Sequence, residues 1–202
     1  MALESWESDR TRVRRKPERA VYDREAVFAI IDEALSCHVG MVRDGRPVVL
    51  PNIHARIGET VYLHGSPAAG FARDGRKGMP VCLTFTLIDG LVLTRQARTH
   101  SLNYRSAVVF GTAQRVRDDA EKLRALEAIT DHVVPGRWAQ VQQPDAAGLR
   151  ETDVLAVDIV EASAKRRTGV PETDDTGGAN QAWAGVIPLI TSQGEPLPSP
   201  FV

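Results

Sequence analysis

An Asp-Gly step between two runs of strand-forming residues is a strong hairpin signal, because the type I′ two-residue turn needs positive φ at both central positions. The chain carries this signal at Asp44-Gly45, between Cys37–Arg43 and Arg46–Ile53, and at Asp89-Gly90, between Val81–Ile88 and Leu91–Arg95. Between these two, Gly58-Glu59 joins His54–Ile57 to Thr60–His64. Closely spaced hairpins predict antiparallel sheet, since parallel pairs require long crossovers. Two further strands are expected over Tyr104–Val116 and Asp153–Glu161, the second apolar on both faces.

Helical periodicity appears in two places. Val27, Phe28, Ile30, Ile31, Ala34 and Leu35 recur at helical spacing behind Asp23, a favoured N-cap. Asp118 and Glu121 match a capping box for a helix through Val134, which Pro135-Gly136 ends. Six or seven strands, two peripheral helices and no βαβ alternation predict a mainly β fold with peripheral α, a small barrel rather than a doubly wound sheet. At 202 residues one core suffices. Residues 1–22 read as a charged N-terminal arm with the basic run Arg12-Val13-Arg14-Arg15-Lys16, and 23–167 as the barrel. Residues 168–202 read as a Gly/Pro-rich linker followed by an apolar island, Trp183, Val186, Ile187, Leu189 and Ile190, which must pack on the barrel or on a partner subunit.

Charge and composition remove several classes. With 25 Lys+Arg against 26 Asp+Glu the net charge is −1, so nothing argues for nucleic acid or an acidic membrane surface. No run approaches the length of a membrane span, and the charged start lacks a signal-peptide core, so a cytoplasmic protein is expected. Cys37 and Cys82 lie in apolar stretches without metal-ligand spacing and read as reduced core thiols, with no metal site. Signatures of hydrolases, P-loop NTPases and Rossmann proteins are missing.

Three polar clusters remain as candidate sites. In Leu63-His64-Gly65-Ser66-Pro67, Ser66 suits an N-cap and Pro67 a first helical residue. A short helix starting there would aim free N–H groups at an anion such as phosphate, with His64 beside it; a plain capped turn is the alternative. Asn103-Tyr104-Arg105-Ser106 gathers donors at the mouth of the long strand, where Arg105 could hold phosphate or stabilise an anionic ring, or else pair with a surface carboxylate. The third, Lys165-Arg166-Arg167 at the end of the last strand, suits a phosphate, an acidic substrate or solvent.

As an ordered set these segments resemble a known family. Arg14-Arg15-Lys16-Pro17-Glu18-Arg19-Ala20, Leu63-His64-Gly65-Ser66, Ser101 to Gly111, Ser163 to Gly169 and Trp183 to Pro188 follow the order seen in the pyridoxamine 5'-phosphate oxidase-like proteins. Within that superfamily they are most similar to the flavin-nucleotide-binding branch that includes nitroimidazole-resistance proteins. The resemblance implies a six-stranded antiparallel split β-barrel of the FMN-binding type, forming a homodimer with flavin mononucleotide (FMN) sites at the subunit interface. It assigns Val49, Leu50, Pro51 and Asn52 to the flavin ring, His64, Gly65 and Ser66 to the phosphate end, and Asn103, Tyr104, Arg105 and Ser106 to the same cleft. Lys165, Arg167 and Trp183 would reach over the cofactor from the C-terminal side. The chain departs from true oxidases of vitamin B6, which carry an Arg/Lys pair on the strand matching residues 46–52 and another after the phosphate turn. Here those stretches end Leu50-Pro51-Asn52 and read Pro67-Ala68-Ala69, leaving phosphate to Arg73, Arg105, Lys165 or backbone N–H groups.

The implied function is a flavin-dependent oxidoreductase that passes electrons from a reduced nicotinamide to a small-molecule acceptor, a nitro or quinone compound. The alternative is a non-catalytic flavin or haem carrier of the same fold, with His64 or His100 as axial ligand. A cofactor-free interaction module is the third reading.

Overall fold

The computed structural model describes residues 6–67, 75–172 and 182–200, the side chain of Arg76 excepted. The chain divides into two compact units, the first comprising residues up to 87 together with 105–166, the second comprising 88–104 together with 167 onward.

Ten strands are formed among the described residues: β1 (Ala20–Val21), β2 (Cys37–Arg43), β3 (Arg46–Asn52), β4 (His54–Ile57), β5 (Thr60–Gly65), β6 (Met79–Leu93), β7 (Ser101–Arg115), β8 (Asp153–Asp158), β9 (Glu161–Arg167) and β10 (Gly185–Pro188). Helices α1 (Arg24–Glu33), α2 (Asp119–Val133) and the short α3 (Ala146–Arg150) complete the fold. The strands run in the order β3-β2-β6-β7-β8-β5-β4, with β1 on β9, β9 on β7 and β10 on β6. The end strands β3 and β4 do not pair, so the sheet is a split barrel rather than a closed one. Ten strands form where six or seven are expected: short β1 and β10 attach to longer strands, and the break at Val160 makes β9 a separate strand.

Local sequence chemistry explains most of the first unit. Asp44 (φ 51°) and Gly45 (φ 71°) adopt the predicted turn, and Arg43 stands opposite Arg46. The pair flanking such a turn exchanges both backbone bonds, so by alternation 41–48, 39–50 and 37–52 are bonded pairs as well. The backbone groups of Pro47, Val49 and Pro51 therefore face away from β2. Both helices start as their caps predict: Asp23 accepts from the Ala26 N–H at 3.0 Å, and Asp118 from the Glu121 N–H at 2.8 Å. Val27, Ile30 and Ile31 of α1 bury against Val39, Leu63, Leu83, Phe85 and Leu155. A second cluster joins Ala125 and Ile129 of α2 to Ala55, Tyr62 and Val154. Trp6 packs edge-on against Phe28 at 5.4 Å and is buried, so this one residue of the N-terminal stretch anchors in the unit's apolar core. Cys37 and Cys82 are free thiols, and burial pushes Cys37 up to about 12, leaving it protonated.

Two expectations are corrected. Asp153–Glu161 is not one strand: β8 ends at Asp158, Val160 is 66% exposed, and β9 begins at Glu161. Asp89-Gly90 is not a turn, because β6 runs straight through it and neither residue takes positive φ. Here β10 supplies a partner: Gly185–Pro188 pairs with Leu93–Gly90, and the Leu189 N–H donates to the Asp89 carbonyl at 3.0 Å. The glycine serves close approach, since a Cβ at position 90 would meet the Ile187 carbonyl oxygen and Val186 Cγ1 at 3.1 Å.

Candidate functional site

In the first unit the edge strand β3 has β2 as its neighbour among the described residues. Its free edge offers one N–H, that of Val49, between the carbonyls of Pro47 and Pro51, because proline carries no N–H. Val49 is 62% exposed, Leu50 and Pro51 are also exposed, and Asn52 is half-buried. The Asn52 Nδ2 donates to the His64 carbonyl at 3.2 Å, which ties the end of β3 to β5.

His64 is half-buried, and its Nδ1 is enclosed without a hydrogen-bond partner among the described residues. Burial lowers its pKa, so the imidazole is held neutral with a lone pair to give. His54 on β4 is also neutral, pushed down to about 4 by burial, but it is fully enclosed and its ring bonds the Ile31 carbonyl at 2.8 Å. Gly65 pairs with Asp153 of β8, and Ser66 is exposed just beyond. The helix expected to begin at Ser66-Pro67, and Arg73, lie largely or wholly outside the described residues.

Arg105 holds Glu33 with two guanidinium contacts, one of them 2.7 Å from Nη2 to Oε1. Glu33 closes α1, where a carboxylate opposes the helix dipole, so the cation has a structural task here. Ser106 donates to the Lys165 carbonyl at 3.4 Å, and Lys165 Nζ to the Arg15 carbonyl at 2.9 Å.

The second unit holds the other candidates. Asn103 is buried; its Nδ2 donates to the Gly169 carbonyl at 3.1 Å, and its Oδ1 accepts from Arg167. Arg167, also buried, donates from Nη1 to the Gly169 carbonyl and from Nη2 to the Val170 carbonyl at 3.1 Å, so both terminal nitrogens help close the chain after β9. Tyr104 is half-buried and Trp183 is 61% exposed, its ring lying over Gly185. His100 is exposed, and its Nδ1 accepts from the Thr94 N–H at 3.1 Å. That bond leaves the proton on Nε2, so His100 has no lone pair left for a metal.

The structure thus brings the candidates together in pairs: Asn52 with His64, Ser106 with Lys165, Asn103 with Arg167. Sequence reasoning missed one buried ion pair, Asp153 with Arg115 at 2.6 Å, whose carboxylate is fully enclosed. Its signal was available: Asp153 is the charged residue opening an apolar strand.

An antiparallel split barrel, with a polar strand edge and a neutral half-buried imidazole, is the class of protein these features define. The chain belongs to the pyridoxamine 5'-phosphate oxidase family, whose profile matches residues 23–166. Among solved structures it is similar to the flavocytochrome Anf3 from Azotobacter vinelandii, at 38% identity and TM-score 0.88 over 98% of this chain and 92% of that one. It is also similar to the FAD and haem binding protein from Mycobacterium smegmatis, at 36% identity and TM-score 0.84 over 91% and 90%. A protein assigned to 5-nitroimidazole antibiotic resistance in Bacteroides thetaiotaomicron follows at 26% identity and TM-score 0.60, over 72% and 85%. No curated protein sequence matches the chain. No helix among the described residues is long and apolar enough to cross a membrane.

Proposed function

We propose that the chain is a redox protein that holds a flavin and a haem and passes electrons from a reduced nicotinamide to a small acceptor such as a nitro or quinone compound. The observation that carries this is likeness over nearly the whole chain, at 38% and 36% identity, to a flavocytochrome and to an FAD and haem binding protein. When bound, the flavin supplies exchange between two-electron and one-electron chemistry, and the haem a one-electron store.

The residues present fit both groups. A haem iron needs a neutral imidazole nitrogen in a dry setting, and of the two histidines proposed from sequence only His64 offers one. A flavin ring edge alternates acceptors with one N–H; the β3 edge offers the Val49 N–H between carbonyls, with Leu50, Pro51 and Asn52 around it. Gly65 and Ser66 stand at the phosphate end of this reading. The family resemblance adds Arg105, Ser106 and Lys165 of the first unit, and Asn103, Tyr104, Arg167 and Trp183 of the second, to the cofactor-binding residues of a homodimer, where the second copy supplies part of the set. Arg105 then acts through Glu33 as a positioning residue, and Arg167 by closing the turn at Gly169.

An absorbance spectrum of the protein as purified tests the reading. Flavin bands together with a Soret band are expected, and a colourless protein that takes up neither group on reconstitution sinks it. Chromatography of an acid extract assigns the flavin as FMN, the family expectation, or FAD, named for the mycobacterial relative. His64→Ala should abolish the Soret band and keep the flavin; an unchanged Soret band removes His64 from the haem.

A further inference from the structure

A cavity of about 410 Å³ opens in the first unit between the start of β6 and the end of β7, away from the β3 edge along the sheet order. Lys77, Arg115 and Arg117 line it with the polar side chains of Thr112 and Gln114. Only Arg115 among the three cations has a carboxylate partner within the described residues, and that partner, Asp153, is fully buried behind it. The carboxylate fixes the guanidinium at the cavity wall and neutralises one charge of three. Lys77 and Arg117 are exposed, line the cavity and have no ion-pair partner among the described residues, in a chain whose net charge is −1.

A concave site with two exposed cations, one anchored guanidinium and two neutral hydrogen-bonding side chains is chemistry for a phosphoryl group, whose several oxygens take point-charge and forked donors together. We infer that this cavity binds the phosphate of a nucleotide. Position supports it: Asp153 is the register partner of Gly65, so Arg115 stands one side chain from the strand that carries Gly65-Ser66. The phosphate belongs either to the flavin proposed above, in which case this inference rests on that reading, or to a separate nucleotide that docks as electron donor. The recognising chemistry is the same.

The test uses the full chain as purified, with the double variant Lys77→Gln/Arg117→Gln and, as charge control, Arg98→Gln in the second unit. Both target residues are exposed and hold no ion pair among the described residues, so the variant should fold and melt like the parent. Inorganic pyrophosphate and ADP are titrated calorimetrically, and flavin content and affinity are measured in parallel. Loss of flavin affinity by about tenfold or more, with pyrophosphate competing against flavin reloading, assigns the cavity to the flavin's own phosphate. Intact flavin binding with ADP and pyrophosphate affinity lost by a similar factor assigns it to a separate nucleotide. Equal pyrophosphate, ADP and flavin binding in parent and double variant overturns the inference, as does an equal loss in Arg98→Gln. A failed flavin spectrum with pyrophosphate still captured by the parent and lost in the double variant would sink the flavin reading and leave the cavity standing.

Discussion

Asp44-Gly45 and Asp89-Gly90 are the same dipeptide in nearly the same company, yet one turns the chain and the other lies flat in a strand. At the first, nothing stands within 4 Å of a Cβ built on Gly45, and the backbone adopts the left-handed geometry that the dipeptide favours. At the second, β10 lies against Leu93–Gly90 and the Leu189 N–H reaches the Asp89 carbonyl. Backbone partners there outweigh a local preference of about 1 kcal/mol. A turn signal therefore states what a segment does when left alone, and a distant strand can overrule it.

The comparison can be broken or sharpened by four measurements. Acid gives the largest effect and asks whether the first hairpin depends on the core beneath it. His54 has a folded pKa of about 4 against an ordinary 6.5, so the unfolded chain takes up a proton that the fold refuses. Stability is full above the ordinary value and falls as the pH drops through that window, by about 3 kcal/mol in urea titrations. The His54→Gln variant should lose this slope, and a slope that survives there assigns it elsewhere. If Gly45→Ala costs the same at both ends of the window, the turn is independent of the core.

Gly90→Val comes next, at about 1–3 kcal/mol, because the new side chain meets Ile187 and Val186 in a closed space. Faster hydrogen exchange at the Leu189 amide reads it directly, and unchanged protection there would refute the close-approach role. Gly45→Ala should cost about 1 kcal/mol through its positive φ alone. Gly45→Asn should cost a few tenths of that, roughly, since Asn tolerates the left-handed region. At Gly90 the order does not hold: Asn there should be as damaging as Val, because space and not φ is limiting. Equal responses of Ala and Asn at both positions would dissolve the distinction.

What the sequence made legible follows the same line. The caps of Asp23 and Asp118, the Asp44-Gly45 hairpin and the buried faces of α1 depend on residues a few positions apart, and all can be read from the chain. The contact of Arg105 with Glu33 spans 72 residues, and nothing near either residue announces it. Asn103 and Arg167, chosen as cofactor ligands, bond each other and the backbone at Gly169 across a similar gap. Lys77, Arg115 and Arg117 share a wall only because β6 and β7 are neighbours in the sheet. Family likeness supplied the order of these motifs; folding alone decides which of their donors are already spent.

Pro47 and Pro51 give the open edge of β3 one more property. A strand from another molecule zips onto such an edge by taking a donor at every second residue, and here two of three successive donors are missing. A small planar ring needs one donor and its flanking acceptors, which Val49 and the prolines still supply. The edge thus keeps one donor and its flanking acceptors open to a flat ligand while disfavouring the addition of a further strand, which removes a common route to edge-to-edge aggregation.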